Sequence, residues 1–168
     1  MIENKVNWMI AGKAGQGIML SGQLFSKTCF KTGLNVFGNT EYPSLIRGGH
    51  NTFQASVNAK EVYSHSKEID LLIALNEESI EEHKKNLSKN AGIIFDATET
   101  KINFKNLKGI KLYNVPLAKI AEKISGKKLF ENMVALGASI ALLNLDLNLL
   151  VQSIKTELNE KNIALINQ

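Results

Sequence analysis

Val6-Asn7-Trp8-Met9-Ile10-Ala11-Gly12-Lys13-Ala14-Gly15-Gln16-Gly17-Ile18 is the stretch on which the fold class turns. Val6 to Ala11 is a short, mainly apolar run ending in a glycine cluster, the pattern of a buried strand delivering the chain into a tight loop. From Ile18 onward, Ile18, Gly22, Phe25 and Cys29 recur on one helical face, and Gly33 supplies a C-terminal stop. Strand, glycine turn and helix in that order form the opening unit of an α/β domain.

The rest of the chain extends this unit. Leu34 to Phe37 reads as a second strand. Thr52 to Val57 alternates, with Phe53, Ala55 and Val57 on one face, and Asn58 to Lys60 reads as a turn into a short strand around Val62, an antiparallel hairpin. Ile69 to Leu75 is almost continuously apolar, as a central strand covered on both faces should be. The next helix is capped by Asn76, with Glu77 and Glu78 in its first turn and Lys84, Lys85 and Lys89 toward its end, matching the helix dipole. Gly92 to Asp96 and Ile110 to Val115 are two further strands. Pro116 then opens a helix with the stripe Leu117, Ile120, Ala121 and Ile124, and Gly126 ends it. Two last helices run from Phe130 to Leu143 and from Leu147 to Glu157, the latter with Leu147, Leu150, Val151, Ile154 and Leu158 as its buried face. The small residues Ala135, Gly137, Ala138, Ser139 and Ala141 suit a helix sandwiched in the core or pressed against a partner. This pattern predicts one domain over residues 1–168, a three-layer α/β/α arrangement with a mostly parallel mixed sheet and one antiparallel hairpin.

The 168 residues suit a single hydrophobic core, and the net charge of +4 arises from 20 basic and 16 acidic residues scattered along the chain, a solvated surface rather than a nucleic-acid footprint. The lone Cys29 forms no internal disulfide, no cysteine-rich zinc site and no iron–sulfur cluster. Glu3 and Lys5 interrupt the stretch a signal peptide keeps apolar, which reads as a cytoplasmic protein. Met133 to Val151 is broken by Asn144, Asp146 and Asn148, so two helices fit it better than a membrane span.

Two segments could carry chemistry. In Gly12-Lys13-Ala14-Gly15-Gln16-Gly17, glycines after a strand and before a helix let backbone N–H groups approach a phosphate or pyrophosphate. Ala14 breaks the dinucleotide spacing, and no Lys-Ser or Lys-Thr pair follows to make a P-loop. A tight packing turn explains these glycines equally well. The second segment is Glu41-Tyr42-Pro43-Ser44-Leu45-Ile46-Arg47-Gly48-Gly49-His50-Asn51, which gathers an arginine, two glycines, a histidine and an asparagine suited to an anion, or else shapes the loop into the hairpin. Because it follows the second strand, it should open on the same crevice as the glycine turn. His50, His65 and His83 lie on separate elements without metal-ligand spacing, His83 reads as partly buried packing, and Ser21 and Ser44 have no evident base. No catalytic residue and no metal site is therefore assigned.

Together with Asn132-Met133-Val134-Ala135-Leu136-Gly137-Ala138, these two segments resemble the gamma subunit or gamma domain of 2-oxoacid:ferredoxin oxidoreductases. The middle motif resembles the version fused at the N-terminus of the alpha chain, and Ala14 stands where the family usually has glycine. The resemblance implies an accessory part of an enzyme converting a 2-oxoacid, coenzyme A (CoA) and oxidised ferredoxin to acyl-CoA, carbon dioxide and reduced ferredoxin. It implies that thiamine diphosphate and iron–sulfur clusters reside on partner chains, with no cofactor bound by this chain alone and CoA as co-substrate. The implied partners are alpha and beta subunits, or the rest of one polypeptide, with ferredoxin meeting the complex and no membrane or nucleic acid involved. Carried over by position, Gly12, Gly15, Gln16 and Gly17 form the turn, and Arg47, Gly48, Gly49, His50 and Asn51 face the subunit junction and the CoA site. A free-standing subunit and an excised N-terminal domain both agree with this. The alternatives are a stand-alone Rossmann-like oxidoreductase using the turn for a nucleotide and a scaffold using both loops only as interface.

Overall fold

In the computed structural model, which describes residues 5–42, 49–101 and 107–166, with side chains to residue 157, six strands form one mixed sheet. The elements follow as β1 (Lys5–Lys13), α1 (Ile18–Lys31), β2 (Asn35–Glu41), β3 (His50–Asn58), β4 (Ile69–Ala74) and α2 (Glu77–His83). After a short 3-10 turn come β5 (Leu87–Phe95), β6 (Lys111–Asn114) and α3 (Leu117–Ser125). After a second come α4 (Glu131–Leu142) and α5 (Leu147–Ile166). The spatial order is β2-β3-β1-β4-β5-β6. β4, β5 and β6 continue parallel from β1, whereas β3 runs antiparallel to both β1 and β2.

Strand alternation divides the core in two. Trp8 and Ile10 of β1 face α1, α3, α4 and α5, packing with Phe25, Leu117, Leu136 and Leu150. Met9 and Ala11 face the other way, with Leu72, Ile93, Phe95 and Ile80 of α2. Helices thus cover both faces, as the α/β/α reading expects, but four lie on one side and the seven-residue α2 on the other. Trp8 stacks on Phe25 with ring centroids 4.2 Å apart. Phe53 fills a slot made by two glycines: a Cβ on Gly22 would fall 2.1 Å from its ring, and one on Gly38 2.9 Å from it. Of the small residues of α4, Ala135 and Ser139 are buried in this core beside Leu136 and Ile140, Gly137 and Ala138 are half-buried, and Ala141 is exposed.

The expected hairpin is corrected. Residues around Val62 form no strand, and β3 pairs instead with β1 and β2. Both edges of β3 are occupied, and the segment after it packs on the polar patch of the α2 face made by Asn7, Gln54 and Ser56. There Gln54 donates to the Ser66 carbonyl at 2.5 Å and the Ser66 N–H to Ser56 Oγ at 3.2 Å. Asn76 caps α2 by accepting from the Ser79 N–H at 2.8 Å, but the helix stops at His83 and Lys89 lies in β5, because Leu87 already pairs with Ile69 of β4. The apolar stripes expected on α3 and α5 are only partly buried. Leu150 is covered, whereas Ile124 is 79%, Leu147 49% and Val151 47% exposed, and Leu158 lies outside the described side chains. Gly126 ends α3 in the left-handed conformation as predicted. The stretch from Met133 to Val151 is divided between α4 and α5, and among the described residues no helix is long and apolar enough to cross a membrane.

Gly22→Ala is expected to destabilise the chain by about 2 kcal/mol, since overpacking against Phe53 outweighs a helix-propensity gain of about 1 kcal/mol. Urea unfolding measures it; an unchanged midpoint would mean that α1 can retreat from the ring without cost.

Candidate functional site

The antiparallel register of β1 and β3 sets Gly12 opposite Asn51 and Lys13 opposite His50. One residue further on, the Ala14 N–H donates to the Gly49 carbonyl at 3.3 Å. The two motif segments, more than 30 residues apart in the chain, therefore meet at the carboxyl end of β1, beside the ends of β2 and β4. Gly12, Gly15, Gln16, Gly17, Gly49, His50 and Asn51 share this region. Arg47 and Gly48, with Pro43 to Ile46, lie outside the described residues.

Local chemistry shapes the turn. Gly15 and Gly17 adopt φ of 91° and 72°, left-handed values disfavoured for side-chain-bearing residues. The Gln16 N–H donates to the Lys13 carbonyl at 3.2 Å, and the Lys13 N–H donates to Gln16 Oε1 at 2.6 Å, closing the turn from both sides. The Ser21 N–H takes the Gly17 carbonyl at 3.0 Å and begins α1, whose first turn holds no acidic side chain. Among the described residues the N–H groups of Gly15, Gly17, Ile18 and Met19 have no hydrogen-bond acceptor. Free amides at the positive end of a 14-residue helix suit an anionic group.

The third motif backs this turn. Asn132 Nδ2 donates to Ser21 Oγ at 3.0 Å and to the Gly17 carbonyl at 3.4 Å, and Gln16 Nε2 donates to Glu131 Oε1 at 2.9 Å. Loss of solvation on burial is the main influence on Glu131 and pushes its carboxyl above the usual range, although the Gln16 hydrogen bond and Lys128 pull the other way. Beside Gly15, Gly17 and Asn132 opens an apolar groove of about 620 Å³, lined also by Leu20, Met133 and Ile154.

On the opposite sheet face, His50 Nε2 lies 2.8 Å from His83 Nε2, and His50 Nδ1 is buried without a partner among the described residues. The spacing of the histidines conceals this pair, because the contact depends on α2 crossing the end of β3. His83 is thus more than packing, while His65 is exposed. Burial, then the neighbouring His50, lowers the His83 pKa below its ordinary 6.5, against the pull of Glu82 and Glu41. Cys29 sits fully buried under the sheet, where loss of solvation pushes its thiol up to about 12, so it has no reactive thiolate near neutrality. Among the described residues no group of three or more His, Cys, Asp or Glu is placed to hold a metal ion.

The sequence matches the pyruvate ferredoxin/flavodoxin oxidoreductase family over residues 7–168. The chain belongs to this family. It is 33% identical over 79 residues to the 2-oxoacid:ferredoxin oxidoreductase subunit alpha of a Sulfolobus species, an alignment covering 47% of this chain and 12% of that one. It is 27% identical over 144 residues to the 2-oxoglutarate synthase subunit KorC of Methanothermobacter thermautotrophicus, covering 82% of this chain and 76% of the relative. The family member thus spans a small part of the alpha subunit and most of KorC. Its fold superimposes on a 2-oxoglutarate:ferredoxin oxidoreductase from Magnetococcus marinus, solved with 2-oxoglutarate, CoA and succinyl-CoA bound, with a TM-score of 0.86 at 25% identity. That match covers 95% of this chain and 28% of the other. The fold is also that of the gamma subunit of a keto/oxoacid ferredoxin oxidoreductase from Geobacter sulfurreducens, with a TM-score of 0.77 at 20% identity, covering 89% and 83%.

The burial of His83 against His50 makes stability depend on pH. Because the folded-state pKa of His83 lies below 6.5, the unfolded chain binds its proton first as pH falls. Stability should be full above about pH 6.5 and decline as pH drops toward the folded pKa. Urea midpoints between about pH 5 and 7.5 should fall more steeply for the parent than for His83→Gln; parallel curves would assign the pH dependence elsewhere.

Proposed function

We propose that this chain is the gamma subunit or gamma domain of a 2-oxoacid:ferredoxin oxidoreductase, accessory to catalysis, with the glycine turn and the Arg47–Asn51 segment contributing to the CoA site at a subunit junction. The observation that supports it is the meeting of three motif segments at one sheet end: the turn, Gly49 to Asn51, and the start of α4. The residues fit the group. Unengaged amides at the start of α1 suit a phosphate, and the exposed Lys13 adds a cation at the mouth of the turn.

In this reading the complex oxidatively decarboxylates a 2-oxoacid and delivers acyl-CoA, carbon dioxide and reduced ferredoxin. Thiamine diphosphate supplies the decarboxylation chemistry and iron–sulfur clusters carry the electrons, both on alpha and beta partners or on the rest of one polypeptide. Cys29, the single cysteine, is enclosed in the core and offers no cluster ligand at the surface. The gamma part binds and orients the co-substrate, and the assembly works in the cytoplasm. Selection among 2-oxoacids falls to residues of the catalytic partners.

Arg47→Ala in the assembled enzyme tests the proposal. Loss of a charge-assisted phosphate contact should raise the CoA KM about tenfold, with the 2-oxoacid KM unchanged. A purely interfacial Arg47 would instead release the gamma part on gel filtration. If both CoA KM and assembly match the parent, neither role survives.

A further inference from the structure

Gln16 is held in one orientation by two demands. Its Oε1 accepts from the Lys13 N–H at 2.6 Å, which leaves its Nε2 as the outward donor, and that donor meets Glu131 Oε1 at 2.9 Å. The side chain lies close along the strand end, since a Cβ on Gly12 would fall 2.6 Å from Gln16 Oε1. Glu131 is the first residue of α4 and is separated from Gln16 by 115 positions in the chain, so only the tertiary fold brings its carboxylate here. The bond from Gln16 is the only hydrogen bond its carboxylate accepts among the described residues. Lys128, the cation that acts on it electrostatically, is paired with Glu99 at 2.7 Å. Half-buried and drawn out of water, Glu131 is thus directed at the amide that closes the glycine turn.

We infer that Glu131 is a positioning residue: by accepting from Gln16 it fixes the side chain that staples Lys13 to Gln16, and so sets how the amides of Gly15, Gly17 and Ile18 are presented to an anionic group. Only the identity of that group rests on the CoA reading above. A turn with two left-handed glycines has many competing conformations, and the staple selects one of them before any ligand arrives.

The assembled oxidoreductase tests this with two readouts, amide hydrogen exchange over the peptide Ala11 to Ile18 and the kinetic constants for CoA. Glu131→Ala should exchange about tenfold faster there, the scale of one lost hydrogen bond, and should raise the CoA KM several-fold with kcat unchanged. Glu131→Gln keeps an acceptor oxygen at the same place and should restore most of both. Should the alanine variant fail to assemble, Glu131→Met keeps the bulk, removes the acceptor and carries the same expectations. Unchanged exchange on loss of the acceptor overturns the inference, and so does a Glu131→Gln enzyme that exchanges as fast as the acceptor-free one. Faster exchange with an unchanged CoA KM supports the positioning role and instead overturns the assignment of the turn to CoA.

Discussion

The antiparallel pairing of β1 with β3 governs the arrangement of this molecule. A run of parallel strands would carry each successive loop to the same sheet end, but the chain between β2 and β3 would then need a crossover helix. Turning back antiparallel, β3 begins where β1 finishes, and the register that sets Lys13 against His50 and Gly12 against Asn51 delivers one motif onto the other. A shift of a single residue would move Phe53, Ala55 and Val57 off the helix-covered face and His50 away from α2. The same register therefore fixes both the core and the candidate site.

Packing keeps that register. Phe53 enters the space left by Gly22 of α1 and Gly38 of β2, so three successive elements are locked around one ring. Trp8 and Phe25, stacked beside it, hold α1 flat on the sheet. With α1 fixed at this distance, its first turn lies next to α4, close enough for Asn132 to reach Ser21 and the Gly17 carbonyl. The site is thus a consequence of how closely one helix approaches the sheet. The opposite face is thin, and there the polar Asn7, Gln54 and Ser56 are buried under the segment after β3, with Ser56 Oγ donating to Asn7 Oδ1 at 2.9 Å.

The candidate site joins opposing electrostatic features. Unengaged amides and the helix dipole favour an anion at the turn, while the Glu131 carboxylate stands behind it, one side chain away. Gln16 mediates between them, donating to the carboxylate and accepting from the strand end. The exposed apolar residues Ile124, Leu129 and Phe130 lie along the groove that opens beside the same turn, so the site's surroundings mix apolar and polar surface.

The strand–turn–helix opening, the capped helix after Asn76, the stop at Gly126 and the motif segments were all legible in the sequence, because each rests on short-range rules: side-chain period, glycine φ, and a cap within three residues. The supposed strand around Val62 failed because sequence cannot show that both edges of β3 are already taken. The buried stripes on α3 and α5 failed in part because periodicity gives a face but not what covers it. The His50–His83 contact and the reach of Glu131 to Gln16 were invisible for a related reason, since a hydrogen bond between residues 33 or 115 positions apart leaves no local trace. Sequence alone determined the opening strand–turn–helix unit, most of the other elements and the segments that carry the motifs. Tertiary structure decided which of them touch, because contact depends on sheet order, register and helix approach, quantities that belong to the whole chain.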